Sequence, residues 1–217
     1  DWKNYFELYK TIPQFKLLNP DMSMNEFKII FFWEYFHRIL ARLIGLFFLI
    51  PLIFFHLSGS IKKNYLNTCN LILVLIIFQG IVGWYMVKSG LIDVVTVSHY
   101  RLSIHLSTAI IIISMMFWLI LNIISEKNKL FFKFSIQNLF FLILILLIFA
   151  QVVIGAFVSG LDAGRIYQTW PMMGNNYFPD DIAAKRLNLF EFDNHSLVQF
   201  YHRNLAYVIL LYALILI

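Results

Sequence analysis

The sequence predicts an all-α integral membrane protein built from repeated helical hairpins. Three observations carry that expectation. The 217 residues are 60% hydrophobic and only 13% charged, well below the roughly 25% charged residues of a soluble domain, and the mean hydropathy is +0.75. Water alone cannot wet such a surface, so a soluble domain is excluded. The apolar residues gather in five segments, about 37–57, 67–88, 99–124, 137–158 and 199–217. Each is near the ~20 residues that a helix needs to cross the hydrocarbon core. Finally, sequence patterns recur from one hairpin to the next.

Taken in order, residues 1–36 are mixed polar and aromatic and read as an external segment. Asn19-Pro20-Asp21 is a turn signal, and Ser23 with Glu26 fits a capping box opening an amphipathic or interfacial helix toward Phe36. The chain opens Asp1-Trp2-Lys3 without Met or a signal-like region, and it stops at Ile217 inside an apolar run. The expectation is an internal fragment of a longer membrane protein, its last span incomplete. Three spans then follow within 37–124, an inner loop at 125–136, and two more spans within 137–217 around a long external loop at 159–198.

Charge orients the spans. Loop 58–66 holds Lys62 and Lys63 without an acid, and loop 125–136 holds Lys127, Lys129 and Lys133 against Glu126. The stretch 159–198 is acidic, with Asp162, Asp180, Asp181, Glu191 and Asp193 against Arg165, Lys185 and Arg186. The positive-inside rule puts the short loops in the cytoplasm or matrix, and 1–36, 89–98 and 159–198 on the opposite side. The net charge of +5 comes with no basic and aromatic cluster in a soluble segment, so no nucleic-acid partner is expected. Cys69 is the only cysteine, which excludes an intramolecular disulfide and a cysteine metal site.

The repeat places histidines alike. His37-Arg38-Ile39-Leu40-Ala41 recurs as His202-Arg203-Asn204-Leu205-Ala206, and His105 is likewise followed four residues on by Ala109. Gln79-x3-Gly83 leading to Ser89-Gly90-Leu91 recurs as Gln151-x3-Gly155 leading to Ser159-Gly160-Leu161. Histidine inside a bilayer is costly and usually faces a bundle interior. An alanine at i+4 lies on the same face one turn away and leaves room for a flat group. Haem is the obvious flat group, with histidine its usual axial ligand. Arg38, Arg101 and Arg203 stand beside these histidines and could make charge-assisted bonds to haem propionates. A helix–helix hydrogen bond is the structural alternative for a single membrane histidine, and it is preferred for His56 and His195. His99 reads either way. Glu34, three residues before His37, shares its face if helical; it suits an acid beside a reacting carbon or an acid favoured by the helix dipole.

These residues resemble haem A synthase of the alphaproteobacterial and mitochondrial type over essentially the whole chain. The resemblance rests on Lys16-Leu17-Leu18-Asn19-Pro20, Glu26-Phe27-Lys28, Trp33-Glu34-x2-His37-Arg38 and Val97-Ser98-x-Tyr100-Arg101-Leu102-x2-His105-Leu106. It continues through Gly155-Ala156-Phe157-Val158-x-Gly160-Leu161-x-Ala163-Gly164, Tyr167-x-Thr169-x-Pro171-Met172-Met173 and Val198-Gln199-Phe200-x-His202-Arg203.

The resemblance implies eight spans in two pseudo-symmetric four-helix bundles, with a first helix before residue 1. His37 and His105 would hold the substrate haem O, and His202 would be one axial ligand of a haem b cofactor, its partner lying in a later helix. Glu34 would assist at the reacting methyl, with Arg38, Arg101 and Arg203 near the haems. Residues 1–36 lack the cysteine pair of some relatives. The implied reaction oxidises the C8 methyl of haem O to the formyl of haem A by successive hydroxylations. The expected site is a bacterial plasma membrane, with the mitochondrial inner membrane as alternative and the haems toward the outer face. Haem O synthase, membrane lipid and a second copy of the chain are the partners left open. A di-haem cytochrome that only transfers electrons, or an assembly protein without haem, are the competing functions.

Overall fold

The computed structural model describes residues 1–90, 97–125, 135–183 and 188–216. Lys127, Lys129 and Lys133 with Glu126, the pair Lys185 and Arg186, and Leu91 lie outside the described residues. Regular structure among the described residues is helical apart from one bridge between Met173 and Asn176. The chain divides into two compact units, Asp1–Val97 with Thr108–Lys127, and Ser98–Ser107 with Asn128–Ile217.

The first unit opens with α1 (Trp2–Lys10) and α2 (Pro13–Leu18). The turn predicted at Asn19-Pro20-Asp21 is present, closed by the Met22 N–H donating to the Asn19 carbonyl at 3.1 Å. The capping box is present too: the Ser23 N–H donates to Glu26 Oε2 at 2.8 Å, and the Glu26 N–H donates to Ser23 Oγ at 3.4 Å. It opens α3 (Met24–Ser58), a single helix of 35 residues. The helix does not stop at Phe36, and the first span is continuous with the segment before it. No glycine or proline interrupts 24–44, so nothing in the chain ends the helix there. Gly59, at φ 62°, ends it with a left-handed cap. Phe6, Phe15, Phe27 and Phe31 pair edge-on or tilted at 5.1–6.0 Å and fasten α1 and α2 to the start of α3.

From α4 (Lys63–Gly90), Tyr65 donates to the Asn122 carbonyl of α5 (His99–Ile124) at 3.2 Å. His56 of α3 meets Asn70 Oδ1 of α4 at 2.9 Å, an interhelical bond of the structural kind.

In the second unit, α6 (Ile136–Gly160) is capped by Ser135 Oγ, which accepts from the Asn138 N–H at 3.1 Å. A 3₁₀ turn at Ala163–Arg165 and the short α7 (Asp180–Ala183) lie in the long loop before α8 (His195–Leu216). α8 packs mainly on α6, and Ala156, Ala163, Met173, Leu197 and Val198 are buried. Four helices among the described residues, α3 to α6, are long and apolar enough to cross a membrane. The predicted fifth span forms as the helix α8 over the described residues to Leu216.

Candidate functional site

The geometry is most developed where α6 faces α8. Two residues of α6 one turn apart, Gln151 and Gly155, meet His202. A methyl built on Gly155 would lie 3.1 Å from His202 Cε1, so glycine lets the imidazole rest closely against the backbone. Gln151 Nε2 stands 3.1 Å from the His202 carbonyl oxygen and 3.3 Å from His202 Nε2. His202 Nδ1 and Gln151 Oε1 are both buried without a hydrogen-bond partner. A half-buried imidazole with one uncommitted nitrogen, seated on a glycine, is the residue type that ligates haem iron.

The long loop before α8 folds onto the N-terminal half of α8. Arg203, the neighbour of His202, is held by loop carbonyls: Nη2 donates to Tyr167 O at 2.6 Å, and Nη1 donates to Thr169 O at 2.7 Å and Met172 O at 3.3 Å. Gln199, one turn earlier, accepts from the Tyr167 N–H at 3.2 Å and donates to Tyr167 O at 2.9 Å. Trp170 donates to the Tyr207 hydroxyl at 2.6 Å, and Tyr177 bonds Asn204. Asp181 accepts from the Tyr167 hydroxyl at 2.7 Å and from Ser196 at 2.8 Å. Burial and the Asp181 carboxylate together raise the Tyr167 phenol above its ordinary range.

The outer end of α5 meets the same unit. Gly160 of α6 backs His99: a methyl there would lie 2.8 Å from His99 Cα and Cβ. The His99 ring is 5.2 Å from Phe157, edge-on, and its Nε2 is 3.5 Å from Asp193 Oδ1. His99 therefore serves helix packing at this mouth. His105 and Arg101 are half-buried on the same helix segment.

In the first unit Glu34, His37 and Arg38 are exposed along one side of α3. Glu34 Oε2 accepts from Arg38 Nη2 at 2.9 Å, both side chains about half exposed. Its ion-pair partner is thus Arg38, one turn on, and not His37. Sequence reasoning singled out His202 and Arg203 but gave no role to Gln151, Gly155, Gln199 or Asp181. The repeated Gln-x3-Gly spacing was the available signal for the first two.

A sequence profile of the COX15-CtaA family, cytochrome oxidase assembly protein, matches residues 1–217. The chain belongs to this family. Among its curated relatives, a Heme A synthase of Pelagibacter ubique is 48% identical over 217 residues, covering 100% of this chain and 64% of the relative. A Heme A synthase of Parvibaculum lavamentivorans is 40% identical, covering 97% of this chain and 61% of the relative. That of a Wolbachia endosymbiont of Brugia malayi is 39% identical, covering 100% and 65%. The chain thus spans less than two thirds of the length of these relatives. No solved structure matches it. The family is one of membrane-associated assembly proteins, in accord with the four apolar helices.

Proposed function

We propose that this chain carries the chemistry of haem A synthesis, the oxidation of the C8 methyl of haem O to the formyl group of haem A. The observation that carries the reading is the 48% identity along all 217 residues to a protein named Heme A synthase. Two successive hydroxylations of the methyl, each a two-electron oxidation that draws on an external electron acceptor and an oxygen source, give a geminal diol, whose loss of water leaves the aldehyde. His37 would be a ligand of the substrate iron, and His202 would hold a haem b cofactor, which would supply one-electron chemistry when bound. Arg38 fixes the direction of the Glu34 carboxylate, and an anion so placed stabilises positive charge developing at an adjacent carbon. Arg38 and Arg101 would make charge-assisted bonds to haem propionates. The protein works in a bacterial plasma membrane, with the histidine-bearing helix ends toward the outer face. It receives substrate from a haem O synthase and associates with a second copy of itself.

The test is a pigment chromatogram from cells expressing the complete protein with a supply of haem O. Haem A and its hydroxylated precursor are expected; haem O alone overturns the reading. A second reading, a di-haem cytochrome that only transfers electrons, is favoured by the ion pair of Glu34 with Arg38, which gives the acid a structural partner. It predicts bound haem b with no change of pigment.

A further inference from the structure

We propose that the loop before α8 re-enters the membrane and holds open a water-filled cleft to the level of Gln199 and Arg203. Water, protons and small polar solutes reach that depth from the loop side. The inference is independent of any bound haem.

Depth follows from α6. Its stretch from Leu139 to Val158 is twenty residues long, with Gln151 as its single polar side chain. At 1.5 Å per residue it measures about 30 Å, the thickness of the hydrocarbon core. α8 runs antiparallel beside it. Gln151 meets the His202 carbonyl, and at the other end of the run Phe140 O accepts from the Tyr212 hydroxyl at 3.1 Å. Gln151 is seven residues from Val158, so it and His202 stand about 10 Å inside the hydrocarbon edge. Gln199, one turn nearer that edge, stands about 6 Å inside it.

Gln199 and Arg203 carry the loop to that depth. Gln199 bonds both backbone groups of Tyr167, and Arg203 donates to the carbonyls of Tyr167, Thr169 and Met172. The backbone over 167–172 is not helical, and these bonds set it roughly 5–10 Å within the hydrocarbon layer. Irregular backbone persists at such depth only where protein buries it or where it lines water. The side chains decide between the two. Gln168 and Asn175 are exposed, with no hydrogen-bond partner among the described residues. Covered by protein or lipid, their amides would be unpaired polar groups in an apolar medium, which is costly; facing water they are satisfied. The bonds from Arg203 to Thr169 O and Met172 O are exposed too, and an arginine at this depth is tolerated where it faces a water-filled cavity. Trp170, 73% exposed, gives its N–H to the Tyr207 hydroxyl, a placement that suits an indole where water meets hydrocarbon.

The experiment measures thiol reactivity in the complete protein, in a cysteine-free background, reconstituted in lipid vesicles with reagent on both faces. The probe is a charged, membrane-impermeant methanethiosulfonate, which reacts with a hydrated thiolate. Glu191→Cys, at an exposed position shortly before α8, gives the rate in bulk water. Ile148→Cys, at an exposed position ten residues inside the apolar run of α6, gives the rate in hydrocarbon. Gln168→Cys and, as an independent reporter, Asn175→Cys are expected within about threefold of Glu191→Cys, because a hydrated thiol ionises as it does in bulk water. Ile148→Cys is expected at least about tenfold slower, because hydrocarbon suppresses the thiolate. If Gln168→Cys and Asn175→Cys are as slow as Ile148→Cys, protein or lipid covers the loop and the cleft is overturned. If Ile148→Cys is as fast as Glu191→Cys, the loop lies in bulk water and the re-entry is overturned.

Discussion

Replacing Arg203 by alanine removes three donated hydrogen bonds that tie the external loop to α8. A hydrogen bond to a charged group is worth about 1.5–3 kcal/mol net. Only the bond to Tyr167 O, at 2.6 Å, is partly buried; those to Thr169 O and Met172 O are exposed, and water replaces them at little cost. The loss is therefore about 2 kcal/mol, confined to the loop. Gln199 still grips both backbone groups of Tyr167, so the loop loosens without leaving. At about 1.4 kcal/mol per factor of ten, the opening equilibrium rises about thirtyfold. Hydrogen exchange of the peptide over 167–174, read by mass spectrometry on the solubilised complete protein, measures this directly. Arg203→Lys should fall between, because an ammonium offers its donors from a single nitrogen and does not reproduce the planar fork of the guanidinium. Exchange within about threefold of wild type, or less than ~0.7 kcal/mol, refutes the clamp and returns Arg203 to the propionate-binding role its sequence context suggested.

Gly160→Ala forces a methyl to within 2.8 Å of the His99 backbone; a loss of about 1–3 kcal/mol is expected from overpacking, read as a lower thermal unfolding temperature. Glu34→Gln breaks an exposed ion pair with Arg38, so stability should change by less than ~1 kcal/mol while haem A output falls; unchanged output removes the acid from the mechanism. Tyr167, whose pKa is raised by burial and by Asp181, stabilises the loop while its hydroxyl keeps its proton. That contribution is complete below the ordinary tyrosine pKa of about 10 and is lost as pH rises through the higher folded value. Loop exchange should accelerate in that alkaline window in the wild type, and Tyr167→Phe should flatten the dependence.

The local features were legible because few residues decide them. A proline turn at Asn19-Pro20-Asp21, the Ser23–Glu26 capping box and the apolar runs of α4, α5 and α6 each depend on neighbours in sequence. The start of the helix that carries the first span was not, because Glu26, Lys28 and Glu34 thin the apolar pattern over 24–36 while the helix continues through them. The site divides in the same way. His202 and Arg203 stand out as costly residues in an apolar run, yet their partners come from far away. Arg203 is met by backbone carbonyls, which any residue can supply and no sequence advertises. Gly155 stands in a visible repeat, but its position under His202 depends on the register between α6 and α8.

The length of α3 has a consequence for the membrane around it. At 1.5 Å per residue its 35 residues run about 52 Å, against a hydrocarbon core of about 30 Å. With Ser58 at one boundary of the hydrocarbon, about twenty residues reach back to Ile39. Glu34, His37 and Arg38 then emerge among the lipid headgroups, on an overhang of roughly 20 Å. Bilayer thickness becomes a control on this helix. A membrane a few ångströms thicker draws the Glu34–Arg38 ion pair toward hydrocarbon, where parting the two charges grows costly, and a thinner one leaves it in water. The lipid composition of the host membrane thus sets how firmly that carboxylate is held.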